Sequence, residues 1–183
     1  MKLKLTHIPH VANKIALDIA NSSLLELKTP IENVANLAKT ILEEDIKKEL
    51  EIDEKAKNLL EENLDEIEFM RADERQLFWM IKRQIAEKEN FLLSWEDRYN
   101  ELSHKILDEI SLEGFIQFGV SENLIKNLIF KSIDTYSKIY EEIEEEVIEK
   151  MKNYKRKLLA GTDEYELVFE KLYEEELRRK GFL

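Results

Sequence analysis

From Ser121 to Ala160 the chain runs without a glycine or a proline. Along that stretch Ile133, Tyr136, Tyr140, Ile143, Val147, Met151, Tyr154 and Leu158 recur at spacings of three and four. This is the period of one helix face, sustained too long for a strand. A second stripe with the same spacing passes through Leu77, Ile81, Ile85, Lys88, Leu92, Trp95, Tyr99, Leu102 and Ile106. Taken as one element, it predicts a connecting helix over about 73–111. The alternative is a break at Ser94, whose hydroxyl would cap a new helix from Trp95. An uninterrupted helix of about 40 residues is ~60 Å long, whereas a compact globule of this chain length is about 40 Å across. The expectation is therefore an all-α, elongated molecule, two helical lobes joined by a long helical stalk.

Composition agrees with that reading. Of 183 residues, 37% are charged and only four are glycine and two proline, against about 25% charge in an ordinary globular chain. The apolar share of 43% is enough for a packed core. A net charge of −12 argues against a nucleic-acid backbone or an anionic membrane as the general partner. The absence of cysteine removes disulfides, thiol catalysis and thiolate metal sites. The opening MKLKLTHIPH has no apolar h-region, and no apolar run approaches the ~20 residues of a membrane span. A soluble cytoplasmic protein is expected.

Four short matches suggest an internal duplication. KIALDI (Lys14–Ile19) pairs with KILDEI (Lys105–Ile110), and LLEL (Leu24–Leu27) with FIQF (Phe115–Phe118). KTI (Lys39–Ile41) pairs with KSI (Lys131–Ile133), and DERQLFW (Asp73–Trp79) with DEYELVF (Asp163–Phe169). The offsets are 91, 91, 92 and 90 in chain order. We read two related halves, 1–90 and 91–183. Each begins with a helix, about 8–21 and 95–111. Each then has a short alternating stretch, open between coil and strand, and a new helix start. Thr29-Pro30-Ile31-Glu32 offers a cap, a first-turn proline and an acid; Ser121 takes the cap role in the second half. In the first half a break near Ile52-Asp53-Glu54, with Asp53 capping a new helix, is one reading.

The stretch FMRADERQLFWMIKRQ (Phe69–Gln84) holds the candidate site. Asp73-x-x-Gln76 and Asp163-x-x-Glu166 have the form of capping boxes, which accounts for Asp73 without catalysis. Apolar residues here cover more than one helix stripe, so the helix is expected to touch something on two sides. Beside Phe78, the residues Arg71, Arg75 and Lys82 line up in a basic strip. Two readings stand. The strip pairs with the protein's own acids, such as Glu61-Glu62 or Glu141–Glu149, the common fate of charge on long helices. Or it is a surface for an acidic or phosphate-bearing partner, with Trp79 as anchor and Arg71, Arg75 and Lys82 as the grip, Trp and Arg being the residues that most often dominate interfaces.

FMRADERQLFWMIKRQ, together with the opening MKLKLTHIPHVANKIA, resembles the bacterial family catalogued as domain of unknown function 507. The resemblance extends over the whole chain. It implies a cytoplasmic, mainly helical protein with no established activity, and it supplies no catalytic residues.

Residue chemistry points the same way. Glu101-Leu-Ser-His104 is a single E-x-x-H pair, where a di-iron bundle needs two and further glutamates. His7-Ile-Pro-His10 could supply two metal ligands with no third implied, and surface residues are the plainer reading of both. Four glycines make no phosphate loop or dinucleotide fingerprint. No catalytic residue, metal ligand or cofactor is assigned. The leading reading is an interaction or scaffold protein that presents the Trp79 surface to a protein partner, with stripes that also permit homodimerisation. The alternative is a carboxylate- or metal-dependent enzyme with a site in the groove between the halves.

Overall fold

A 3-10 turn, Leu5–His7, leads into α1 (Ile8–Ala20), followed by β1 (Leu25–Leu27) and α2 (Ile31–Glu61). The chain continues with α3 (Glu74–Lys88), α4 (Trp95–Leu112), β2 (Ile116–Phe118), α5 (Glu122–Lys152) and α6 (Asp163–Arg179). This computed structural model describes residues 3–63, 73–154 and 162–182. Among the described residues the fold is all-α apart from one ribbon, in which LEL and IQF pair antiparallel, Leu25 opposite Phe118, Glu26 opposite Gln117 and Leu27 opposite Ile116. The two alternating stretches are thus strands, and Lys28 N–H extends the ribbon by donating to Phe115 O at 2.8 Å.

The predicted continuous helix over 73–111 does not form. α3 stops at Lys88 and α4 starts at Trp95. Asn90 adopts φ +52°, the left-handed conformation that Asn tolerates better than most residues. Its N–H donates to Glu87 O at 3.2 Å and Phe91 N–H reaches back to Ala86 O at 2.8 Å, the Schellman closure of a helix end. Ser94 then caps α4, as the alternative reading had it. The break considered near Asp53 is absent, and α2 is continuous. Ile52 is buried in the core and Asp53 is held by Lys82 of α3, so neither is released to start a new helix. Two caps move by one residue. Pro30 rather than Thr29 precedes α2, and Thr162 rather than Asp163 caps α6, accepting from Tyr165 N–H at 3.3 Å.

The chain divides into two compact units, Lys4–Ser132 and a second made of Ile133–Leu183 with Met1–Leu3. The division therefore falls within α5, not at the 90/91 boundary of the sequence matches. In the first unit, α1 buries Ile8, Val11, Ile15 and Ile19, α2 buries Val34, Ala38, Leu42 and Ile52, and α4 buries Leu102, Ile106 and Ile110. In the second, Ile143, Val147 and Met151 of α5 and Tyr173 and Leu177 of α6 are buried. Each set follows the three-and-four spacing of an amphipathic helix.

Among the described residues several element boundaries recur 91 positions apart. α2 and α5 are both 31 residues long and start at 31 and 122; β1 and β2 start at 25 and 116. Val34 and Ile125, Ala38 and Ile129, Leu42 and Ile133, Ile52 and Ile143, Ala56 and Val147 are buried in matched pairs. α3 and α6 end at 88 and 179. Each closes on a positive-φ residue, Asn90 and Gly181, followed by a phenylalanine whose N–H reaches back five residues. The KTI/KSI and DERQLFW/DEYELVF matches, at offsets of 92 and 90, lie one residue out of this register. An unbroken helix has no room for a one-residue slip without rotating every later side chain by about 100°.

Candidate functional site

α3 begins where Asp73 Oδ1 accepts from the backbone N–H groups of Arg75 and Gln76, at 2.9 and 3.2 Å. This is the structural role expected for Asp73. Of the basic strip, Arg71 lies outside the described residues. Arg75 is exposed and Phe78 half-buried. Trp79 stays 49% exposed, and Met80 beside it 51%. The Phe78 ring meets Trp79 edge-on at 5.9 Å.

Lys82 departs from the strip. It is buried, with its ammonium 3.0 Å from Glu49 and 2.6 Å from Asp53 on α2. Its self-pairing is thus with acids on the facing helix rather than Glu61-Glu62 or the Glu141–Glu149 run. A lysine with so little exposed surface is a packing and pairing residue, and the exposed cation that follows Trp79 by one turn is Arg83. Arg75, Trp79 and Arg83 fall at i, i+4 and i+8, one row along α3.

Sequence reasoning missed the centre into which Lys82 is drawn. Asp45, Glu49 and Asp53 form a ladder along α2 at four-residue spacing. Arg98 of α4, only 2% exposed, pairs with Asp45 and donates Nη1 to Glu49 at 2.8 Å. Glu49 thus joins cations from two helices. The guanidinium carbon lies 4.2 Å from the Trp95 ring centre and 4.6 Å from that of Phe91, a cation–π arrangement that favours a desolvated arginine. Arg98 Nε is buried with no acceptor among the described residues. Beside this centre is a pocket of about 240 Å³. Lys48, Arg98 and Lys105 line it together with Glu44, Asp45 and Glu101, so its charges offset. One signal was available: Glu49 occupies the apolar stripe of α2, seven residues after Leu42 and seven before Ala56, where an acid must have a buried partner.

The counterparts 91 residues on are aromatic. Glu49 corresponds to Tyr140, Lys82 to Tyr173 and Phe91 to Phe182. Tyr140 and Tyr173 are buried, and burial raises the pKa of both phenols above the ordinary value. Phe182 lies 5.3 Å from the Tyr140 ring and 5.6 Å from Tyr136. At the rim, Lys55 pairs with Glu89 at 2.6 Å, and the positions 91 on carry the same bridge with signs exchanged, Glu146 with Lys180 at 2.7 Å. The hydrogen bond from Lys55 to Glu89 raises the Lys55 pKa, and that from Lys180 lowers the Glu146 pKa. The Arg75, Trp79 and Arg83 row has Glu166, Glu170 and Glu174 as counterparts on α6, all exposed.

Among the histidines, His104 is exposed, as expected. His7 is not a surface residue: it is buried, and its Nδ1 accepts Lys4 N–H at 3.1 Å. Burial first, then the charges of Lys4 and His10, lower its pKa from 6.5 to about 4. Among the described residues no group of three or more His, Cys, Asp or Glu side chains is placed to hold a metal ion, and no helix is long and apolar enough to cross a membrane.

No curated protein matches the chain. The family model described as "Protein of unknown function (DUF507)" matches residues 1–182, so this all-α chain, with its capped α3 and its buried Lys82–Glu49–Arg98 centre, belongs to the DUF507 family.

Proposed function

We propose that the chain is a cytoplasmic interaction protein, built from two duplicated halves, that engages a protein partner through the exposed α3 row of Arg75, Trp79 and Arg83. One observation carries this reading. Trp79 and Met80 are half exposed, and their counterparts at 170 and 171 are Glu and Lys. The same place on an equivalent helix is satisfied by charge, so folding does not require a tryptophan there. Trp and Arg in alternation match the composition of interface anchors. Lys82 is buried rather than part of the exposed row, and supports it from beneath through its 5.2 Å approach to the Trp79 ring.

The test is affinity capture with the full chain from bacterial lysate, wild type against Trp79→Ala/Arg83→Glu, after circular dichroism shows both folded. A partner should be held by the wild type, lost by the variant, and should slow amide exchange in α3. Capture sets that are identical would remove α3 as the binding face.

A further inference from the structure

We propose that the protein partner is a second copy of this chain, with the Arg75–Trp79–Arg83 row of α3 in one copy docked on the Glu166–Glu170–Glu174 row of α6 in the other. This rests on the binding-face reading above and names the occupant. The two rows have identical four-residue spacing, so over eight residues each is about 12 Å long and the end charges meet in register. Both rows are exposed. Among the described residues Arg75 and Arg83 have no ion pair, nor do Glu166 and Glu170; Glu174 has a single long contact, 3.8 Å to exposed Arg178.

The apolar side also matches. Leu167 is 70% exposed and lies beside the row, about 60° round the helix from Glu170 and about 4.5 Å along its axis. It gives the Trp79 ring an apolar surface, while the flanking arginines meet carboxylates. Charged rows around a buried aromatic anchor provide orientation and affinity together. Neither row is dictated by the fold, since each occupies the helix positions that the other fills with opposite chemistry. The net charge of −12 repels two copies at long range, but at about 0.15 M salt the Debye length is about 8 Å, so contacting rows outweigh distant charge. Reciprocal exchange, residue i meeting j and j meeting i, closes an assembly at two copies, whereas one-way docking extends it.

Sedimentation velocity on the full chain at about 0.15 M salt tests this. Wild type should self-associate with rising concentration. Arg75→Glu/Arg83→Glu makes both rows acidic, and Glu166→Arg/Glu174→Arg makes both basic at their ends. Each variant alone should associate at least about tenfold more weakly. An equimolar mixture of the two should restore association, because every acidic row then meets a basic one. Trp79→Ala, which alters no charge, should weaken association without rescue by either variant. A wild type that stays monomeric throughout the micromolar range, or a mixture that is no more associated than its parts, overturns self-docking. If a captured protein is nevertheless lost with Trp79→Ala/Arg83→Glu, the α3 binding face survives and only the identity of its occupant falls.

Discussion

At the scale of single residues, the informative positions are those whose chemistry opposes their burial. His7 is neutral where it sits, because water is excluded and Lys4 and His10 are near. As pH falls, the unfolded chain takes up the proton near pH 6.5 while the folded chain resists until about 4. The unfolded state therefore binds more protons across that window, so stability rises with pH there and is lost as the pH is lowered. His7 contributes fully above about pH 6.5, and its contribution is lost progressively toward pH 4. The shift is worth about 3 kcal/mol. Urea titrations at pH 7 and pH 4.5 should show wild type losing about 2–3 kcal/mol more than His7→Phe. Parallel losses in the two proteins would mean that His7 titrates as it would in water. None of this was legible in His7-Ile-Pro-His10, because a histidine's burial depends on which helices close over it. Asn90 was equally silent: the three-and-four spacing continues past it from Lys88 to Leu92, and its left-handed backbone is what ends α3.

Between elements, the Glu49 centre decides how α3 and α4 are held on α2. One carboxylate joins Lys82 of α3 and Arg98 of α4, with Asp53 and Asp45 completing each cation's environment. A buried ion pair adds little over a well-packed apolar pair, yet removing one partner strands charge. Glu49→Ala should therefore cost about 3 kcal/mol or more by urea denaturation, with α3 amides losing most protection because α3 buries only Lys82 and Ala86. Lys55→Ala, which breaks the exposed bridge to Glu89, should leave the midpoint unmoved. Equal effects would show that the centre is no more than surface pairing. Helix existence was readable from periodicity, and so was the Asp73 cap. Helix contacts were not, because they set which carboxylate reaches Lys82, and Glu61-Glu62 were as plausible in sequence as Glu49.

For the molecule as a whole, the ribbon supplies the sharpest test of duplication. The antiparallel pair is centred on Glu26 opposite Gln117, residues 91 apart, so the two strands face each other across a local two-fold. Exchanging the strand sequences, IQF at 25–27 and LEL at 116–118, has a definite consequence under that symmetry. The cross-strand pairs become Ile–Leu, Gln–Glu and Phe–Leu, the same three pairs read from the opposite end. Such a volume-conserving exchange should cost less than about 1.5 kcal/mol. Leu27→Ala with Ile116→Ala deletes one pair outright, and the buried Ile116 alone should cost about 2 kcal/mol or more. Urea denaturation of the exchanged chain beside this double variant separates the cases. If the exchange is as damaging as the deletion, the strands are tailored to their own halves and the 91-residue correspondence stops short of interchangeable parts. If it is tolerated, the positions that do differ across the correspondence stand out against an interchangeable frame. Those are the Lys82–Glu49 centre against two tyrosines and the Arg–Trp–Arg row against three glutamates, and their differences then have to be explained by what the molecule binds.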